Sequence, residues 1–160
     1  MKNILALAVI ALVAAVSSVI CARLSIPVWT MFIGWIAFVA GGMNARTAAP
    51  TYVCCILGLI EGVIGTALIS GGAAALGTDL ALLVGVFIIV FAALLAQYLP
   101  FASLVICYFI GMTTFFASGL PLVMASGVTL GAGLLAGVLS GLIAVTIAGM
   151  ISRDPSADAA

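Results

Sequence analysis

The chain has 160 residues, of which 67% are hydrophobic and 5% charged, and its formal net charge is zero. A soluble domain carries about 25% charged residues, so four basic and four acidic side chains could not solvate the surface of a globule this size. A bilayer accepts an apolar exterior, and without a basic cluster there is no electrostatic footprint for nucleic acid.

A membrane helix needs about 20 mostly apolar residues, and the pattern predicts six. The first runs from Asn3 to Ala22 and ends at Arg23. Its apolar run is longer than the ~7–15 residues of a signal-peptide core, so it is read as a retained span. The second runs from Pro27 to Met43, with Pro27 in the first turn, where its missing N–H is no loss. A polar break, Asn44 to Thr47, precedes a third span from Pro50 to about Ser70–Gly72. A loop is expected over Ala73 to Asp79, with Thr78 capping a fourth span from Leu80 to Gln97 and Asp79 near that helix's positive end. After a turn at Tyr98–Pro100, the fifth span runs from Phe101 to about Ser118. Gly119, Leu120 and Pro121 break it, and the sixth runs from about Ala125 to Ile151. Residues 1–151 form a single membrane domain, and residues 152–160 read as a polar, disordered tail. Six spans put Lys2, Arg46 and Arg153 on one side and Arg23 on the other, which favours cytoplasmic termini.

An internal repeat is the most informative feature. Phe32 to Gly42 aligns with Phe109 to Gly119 at an offset of 77 residues, with six of eleven positions identical. The copies lie in the second and fifth spans, so each unit holds three helices, about 1–75 and 76–151. A second unit that follows three spans enters the membrane from the opposite face. The fold class expected is therefore an all-α membrane protein of six transmembrane helices, built as two three-helix repeats of inverted topology. Solute sites lie where such halves meet. Phe32, Gly34, Trp35 and Phe38, with Phe109, Gly111, Thr113, Thr114 and Phe115, are the candidates there. The rings could pinch a narrow path, the glycines let backbones approach or expose carbonyls, and the threonines add hydroxyls. The alternative is that they pack helices with no pore at all.

Glu61 is the one acidic or basic residue well inside a predicted span. A charged residue at a helix centre costs about 2.5–3.5 kcal/mol on translocon scales. Cys54, Gly58 and Gly65 share its helix face, which suits burial and not lipid exposure. No span carries a basic partner, so the carboxyl is expected to hold its proton and donate a hydrogen bond. It is a candidate proton or solute carboxyl; the alternative is a neutral acid that bonds a neighbouring helix. The Gly58–Gly62 and Gly127–Gly131 pairs, extended by Gly133, Gly137 and Gly141, read as close helix crossings. Ala11 and Ala15 make a weaker pair of the same kind, and Trp29 and Tyr98 sit near span ends as interfacial anchors. Cys21, Cys54, Cys55 and Cys107 lack metal-like spacing and read as small buried residues.

The stretch Pro27 to Gly42, PVWTMFIGWIAFVAGG, with its weaker echo in the fifth span, resembles small bacterial inner-membrane proteins that share domain of unknown function 1097. The resemblance implies a bacterial inner-membrane location. It supplies no substrate, no cofactor and no catalytic residue.

There is no histidine and no phosphate-binding loop, so neither enzyme chemistry nor a metal site or cofactor is expected. The leading reading is a channel or permease for a small neutral or weakly ionised solute. A homo-oligomer is then plausible on size alone, since one subunit of this width has little room to spare. The alternatives are a membrane-embedded solute- or partner-binding subunit of a larger transporter, and a structural membrane protein without a path.

Overall fold

The structure, a computed structural model, describes residues 2–152 and arranges them as six helices. These are α1 (Lys2–Arg23), α2 (Val28–Ala40), α3 (Ala45–Leu76), α4 (Thr78–Leu95), α5 (Val105–Ser118) and α6 (Met124–Ser152). A 3-10 turn, Ala96–Tyr98, prolongs α4. Arg153 and the tail expected to be disordered lie outside the described residues.

Four helices are long and apolar enough to cross a bilayer: α1, α3, α6, and α4 with its 3-10 turn. Of the six helices expected as spans, these four have spanning length and composition. With 13 and 14 residues, α2 and α5 reach only about 20 Å each at 1.5 Å per residue, against about 30 Å of hydrocarbon. The cause is local. Past Ala40, Gly42 and Met43 take positive φ values of 107° and 56° and turn the chain, so α2 stops short of Met43. In front of α5, Pro100 and the irregular residues up to Leu104 delay the helix by four residues beyond the expected Phe101.

The third helix departs in the other direction. It starts at Ala45, not Pro50, because the Asn44 side chain accepts hydrogen bonds from the Arg46 and Thr47 amides at 2.9 and 3.2 Å. Pro50 then falls early in the helix, where its missing N–H leaves only the Arg46 carbonyl unbonded. The helix also runs through Gly71 and Gly72, each a cost of about 1 kcal/mol in an exposed helix, and ends only at Leu76. The expected loop from Ala73 to Asp79 shrinks to Gly77, whose φ of +78° a side chain would resist. Gly77 is also the N-cap of α4 and makes no side-chain bond, so Thr78 is the first helical residue and not the cap.

Glycines set the packing. On α2, Gly34 meets the backbone of Leu134 and Gly137 meets that of Met31, Gly34 and Trp35. One turn on, Phe38 lies over Gly141, and one turn back, Thr30 lies over Gly133. The register advances in step, so α2 and α6 run parallel. The same contacts recur between α5 and α3: Gly111 meets the backbone of Cys55 and Leu59, Gly58 meets that of Tyr108, and Phe115 lies over Gly62. Equivalent positions are 77 residues apart from α2 to α5 and 79 apart from α3 to α6.

The two parallel pairs join where α3 and α6 cross antiparallel, with Leu59 at Gly127 and Ile56 at Gly131. The Tyr52 hydroxyl donates to the Gly131 carbonyl there at 3.4 Å. The remaining helices flank this core. Ile89 packs at Gly65 and Ile69 at Gly85, which lays α4 along the C-terminal half of α3. Ser17 meets Ser140, which lays α1 on α6. Exchanging α1 with α4, α2 with α5 and α3 with α6 leaves the pairing scheme unchanged.

At four of these glycines a methyl group has nowhere to go, because its neighbours are backbone atoms. A Cβ on Gly34 would stand 2.8 Å from Leu134 Cα, and one on Gly111 would stand 2.7 Å from Leu59 N. Gly34→Ala, Gly58→Ala, Gly111→Ala and Gly137→Ala should each lower stability by about 1–3 kcal/mol, as overpacking does. Gly71→Ala, which meets nothing within 4 Å, should be neutral or stabilising by up to about 1 kcal/mol. Thermal midpoints by fluorescence-detected size exclusion would separate the two classes.

Candidate functional site

Glu61 stands at the middle of α3, about 24 Å from its N-terminal end and about 23 Å from the other at helical rise. The residues expected on its face, Cys54, Gly58 and Gly65, are all buried against α5 and α4. Glu61 itself sits at the edge of that face and is half-buried. It looks into a groove of about 420 Å3 between α3, α4 and α5. Leu57 and Ile60 of α3 form one wall, and Ala92, Leu95, Ala96 and Leu99 form another. Tyr108 of α5 completes it.

Two polar atoms in this groove lack partners. Oε2 of Glu61 is buried with no hydrogen bond, and so is the hydroxyl of Tyr108, a residue only 2% exposed. Burying a polar group without a hydrogen bond costs roughly 1–3 kcal/mol by protein mutational data. Arg46 is the basic residue of α3, 15 residues or about 22 Å along the helix from Glu61. No side chain offers the carboxyl a countercharge from α4 or α5 either, since neither carries a lysine, arginine or histidine.

The equivalent place in the other half is closed. Seventy-nine residues after Glu61 comes Ser140, whose Oγ donates to the Ala136 carbonyl at 2.6 Å and lies 2.7 Å from Ser17 Oγ. Seventy-seven before Tyr108 comes Met31, fully buried and apolar. The halves thus share a packing scheme and differ in chemistry at this place.

The nine residues aligned by the repeat are distributed differently. Phe32 and Phe109 are 45% and 37% exposed on the outer surface, with Thr113 exposed beside the second. Trp35 is half-buried. Gly34 and Gly111 form the backbone crossings, and Phe38 and Phe115 are buried over Gly141 and Gly62. The Thr114 hydroxyl is buried and donates to the Ile110 carbonyl at 2.8 Å. The structure brings Gly34 and Phe38 together on α6, and Gly111 and Phe115 together on α3. None of the nine lines the groove at Glu61.

Sequence reasoning missed Tyr108. The signal was present, because it lies one turn before Gly111 on the α5 face that repeats through Thr114 and Phe115. The four cysteines are buried and free, and among the described residues no group of three or more potential ligands is placed to hold a metal ion.

No curated protein and no solved structure matches the chain. The profile of the family described as "Protein of unknown function (DUF1097)" matches residues 6–149, from the first turns of α1 to the last turn of α6. Apolar helices of spanning length, paired through glycines, are thus the setting of the Glu61 groove, and the chain belongs to the DUF1097 family.

Proposed function

We propose that this protein is a bacterial inner-membrane permease for a small neutral or weakly ionised solute, and that its site is the groove at Glu61 and Tyr108. The observation that carries the reading is the pair of buried, unpartnered polar atoms in that groove. In hydrocarbon such atoms cost free energy until something bonds them. A solute with a donor and an acceptor does so, and a site that is incomplete alone is complete when loaded. The exchangeable pairing of helices supports two repeats of inverted topology, the architecture of many transporters. In that arrangement the short α2 and α5 also traverse the bilayer with their flanking turns, and both termini are cytoplasmic.

A second reading draws on the groove's position. Ile60, Leu95 and Leu99 are 46–49% exposed, so the groove opens on the flank of the bundle. A larger transporter could seat its membrane-embedded binding subunit by that flank. Flux from the purified protein alone favours the permease, whereas solute binding without flux favours the subunit.

The test is osmotic swelling of liposomes that hold the purified protein, with a panel of small neutral and weakly ionised solutes. Glu61→Gln should slow the transported solute by about tenfold or more, the worth of a charge-assisted hydrogen bond. Tyr108→Phe should slow it by roughly threefold to tenfold, the worth of a neutral one. Ser140→Ala should change it less than about twofold, because its counterpart place holds no unpartnered polar atom. No flux above empty liposomes, from protein shown to be folded, would overturn the permease.

Topology gives an independent check. On a cysteine-free background, Ala45→Cys and Thr78→Cys mark the two ends of α3 and its joint with α4. An impermeant maleimide applied to intact cells should label the cysteine at 78 and spare that at 45 until the membrane is opened. Labelling of both from one side would rule out a spanning α3.

A further inference from the structure

The groove also carries a statement about the charge of its ligand. We propose that the weakly ionised solute is a hydrophobic amine, bound as its monovalent cation in place of the Glu61 proton. The proposal rests on the reading of the groove as a solute site and narrows the class of solute.

Four observations lead there. First, among the described residues the acid has no countercharge. α4 presents Ala92, Leu95 and Ala96 to it, α3 presents Leu57 and Ile60, and α5 presents Tyr108. Tyr108 is the titratable group facing it from α5, and Cys54 lies two turns back on the same α3 face; neither brings positive charge. α6 has no charged residue between Met124 and Ser152. An anion finds no positive partner in these walls, whereas a cation pairs with the carboxylate once the proton has left. Second, the remaining walls are apolar, so a neutral polar solute would leave its other donors and acceptors unbonded, whereas an apolar body fits them. Third, the unpartnered hydroxyl oxygen of Tyr108 lies in the same groove and can accept a hydrogen bond from an ammonium N–H. Fourth, the groove opens on the flank of the bundle beside Ile60, Leu95 and Leu99, a route for ligands that partition into lipid.

The exchange balances simply. The cation and the protonated carboxyl become an ion pair in the groove, and one proton leaves to water. The counterpart place in the other half, with Ser17, Ser140 and Met31, holds no second acid, which sets the ligand charge at one.

The probes are benzyltrimethylammonium and its neutral isostere neopentylbenzene, titrated calorimetrically into the full-length protein in lipid nanodiscs. Titrations at pH 6 and pH 8, in buffers of different ionisation enthalpy, count the protons released. The cation should bind at least about tenfold tighter than the isostere, and tighter at pH 8 than at pH 6, by up to about tenfold per pH unit wherever the free carboxyl holds its proton. Proton release should approach one on the acid side of the titration. Glu61→Gln should abolish both the preference and the pH dependence, and Glu61→Asp should retain them in part, with thermal midpoints showing that each variant is folded. Equal binding of both probes, unchanged by pH and by Glu61→Gln, would overturn the cation and leave the groove as a neutral-solute site. Binding of neither probe, together with no solute flux through folded protein, would overturn the site itself.

Discussion

Backbone touches backbone at four glycines, and the other contacts are arranged around those points. Helices in a bilayer gain little from hiding apolar side chains, because lipid tails are equally apolar. Close approach must supply the association, and it is available only where Cβ is missing. Gly34 and Gly137 provide one such crossing, and Gly58 and Gly111 the other. Each fixes a parallel pair in a single register, and one turn on, each seats a phenylalanine on a further glycine. With those pairs fixed, α3 and α6 can cross in only one antiparallel way, and α1 and α4 fill the two flanks.

A scheme of this kind constrains the backbone and leaves side chains free at its margins. The margin beside α4 holds a carboxyl and a phenol without partners, while the margin beside α1 holds two serines that satisfy one another. Ala92 of α4 and Ala96 of the turn after it line the first margin. A ring of closed hydrogen bonds needs nothing from outside. An acid facing alanines has a deficit that only a visitor or a proton can fill. Function is therefore sought where the halves diverge, although the packing is best understood where they agree.

How far the sequence reaches depends on the kind of signal. Composition alone dictates apolar helices, and the glycine spacings locate the crossings, since few other residues recur so regularly at Gly34, Gly58, Gly111 and Gly137. Glu61 stands out because charge is rare in such a chain. Helix ends are less legible. Pro50 looks like a start, yet the real one, Ala45, lies five residues earlier and is set by the Asn44 side chain. Met43 looks like part of a span, yet its positive φ belongs to a turn. Faces are the least legible, because a helix apolar all round carries no stripe to mark its inner side. Hence Phe32 and Phe38 look alike in sequence, and one faces outward while the other is fully buried.

The length of α3 has a further consequence. Its 32 residues measure about 48 Å, roughly 18 Å more than the hydrocarbon core of an ordinary bilayer. Leaning takes up part of that excess, since membrane helices tilt by about 20° on average. Parallel to it and locked by Gly58 and Gly111, α5 leans with it, and α4 follows through Gly77, the single residue that joins it to α3. The three helices that frame Glu61 then respond together to membrane thickness. In a thicker membrane they stand more upright, and in a thinner one they lie flatter. Lipid chain length is thereby coupled to the angle at which the groove meets the bilayer.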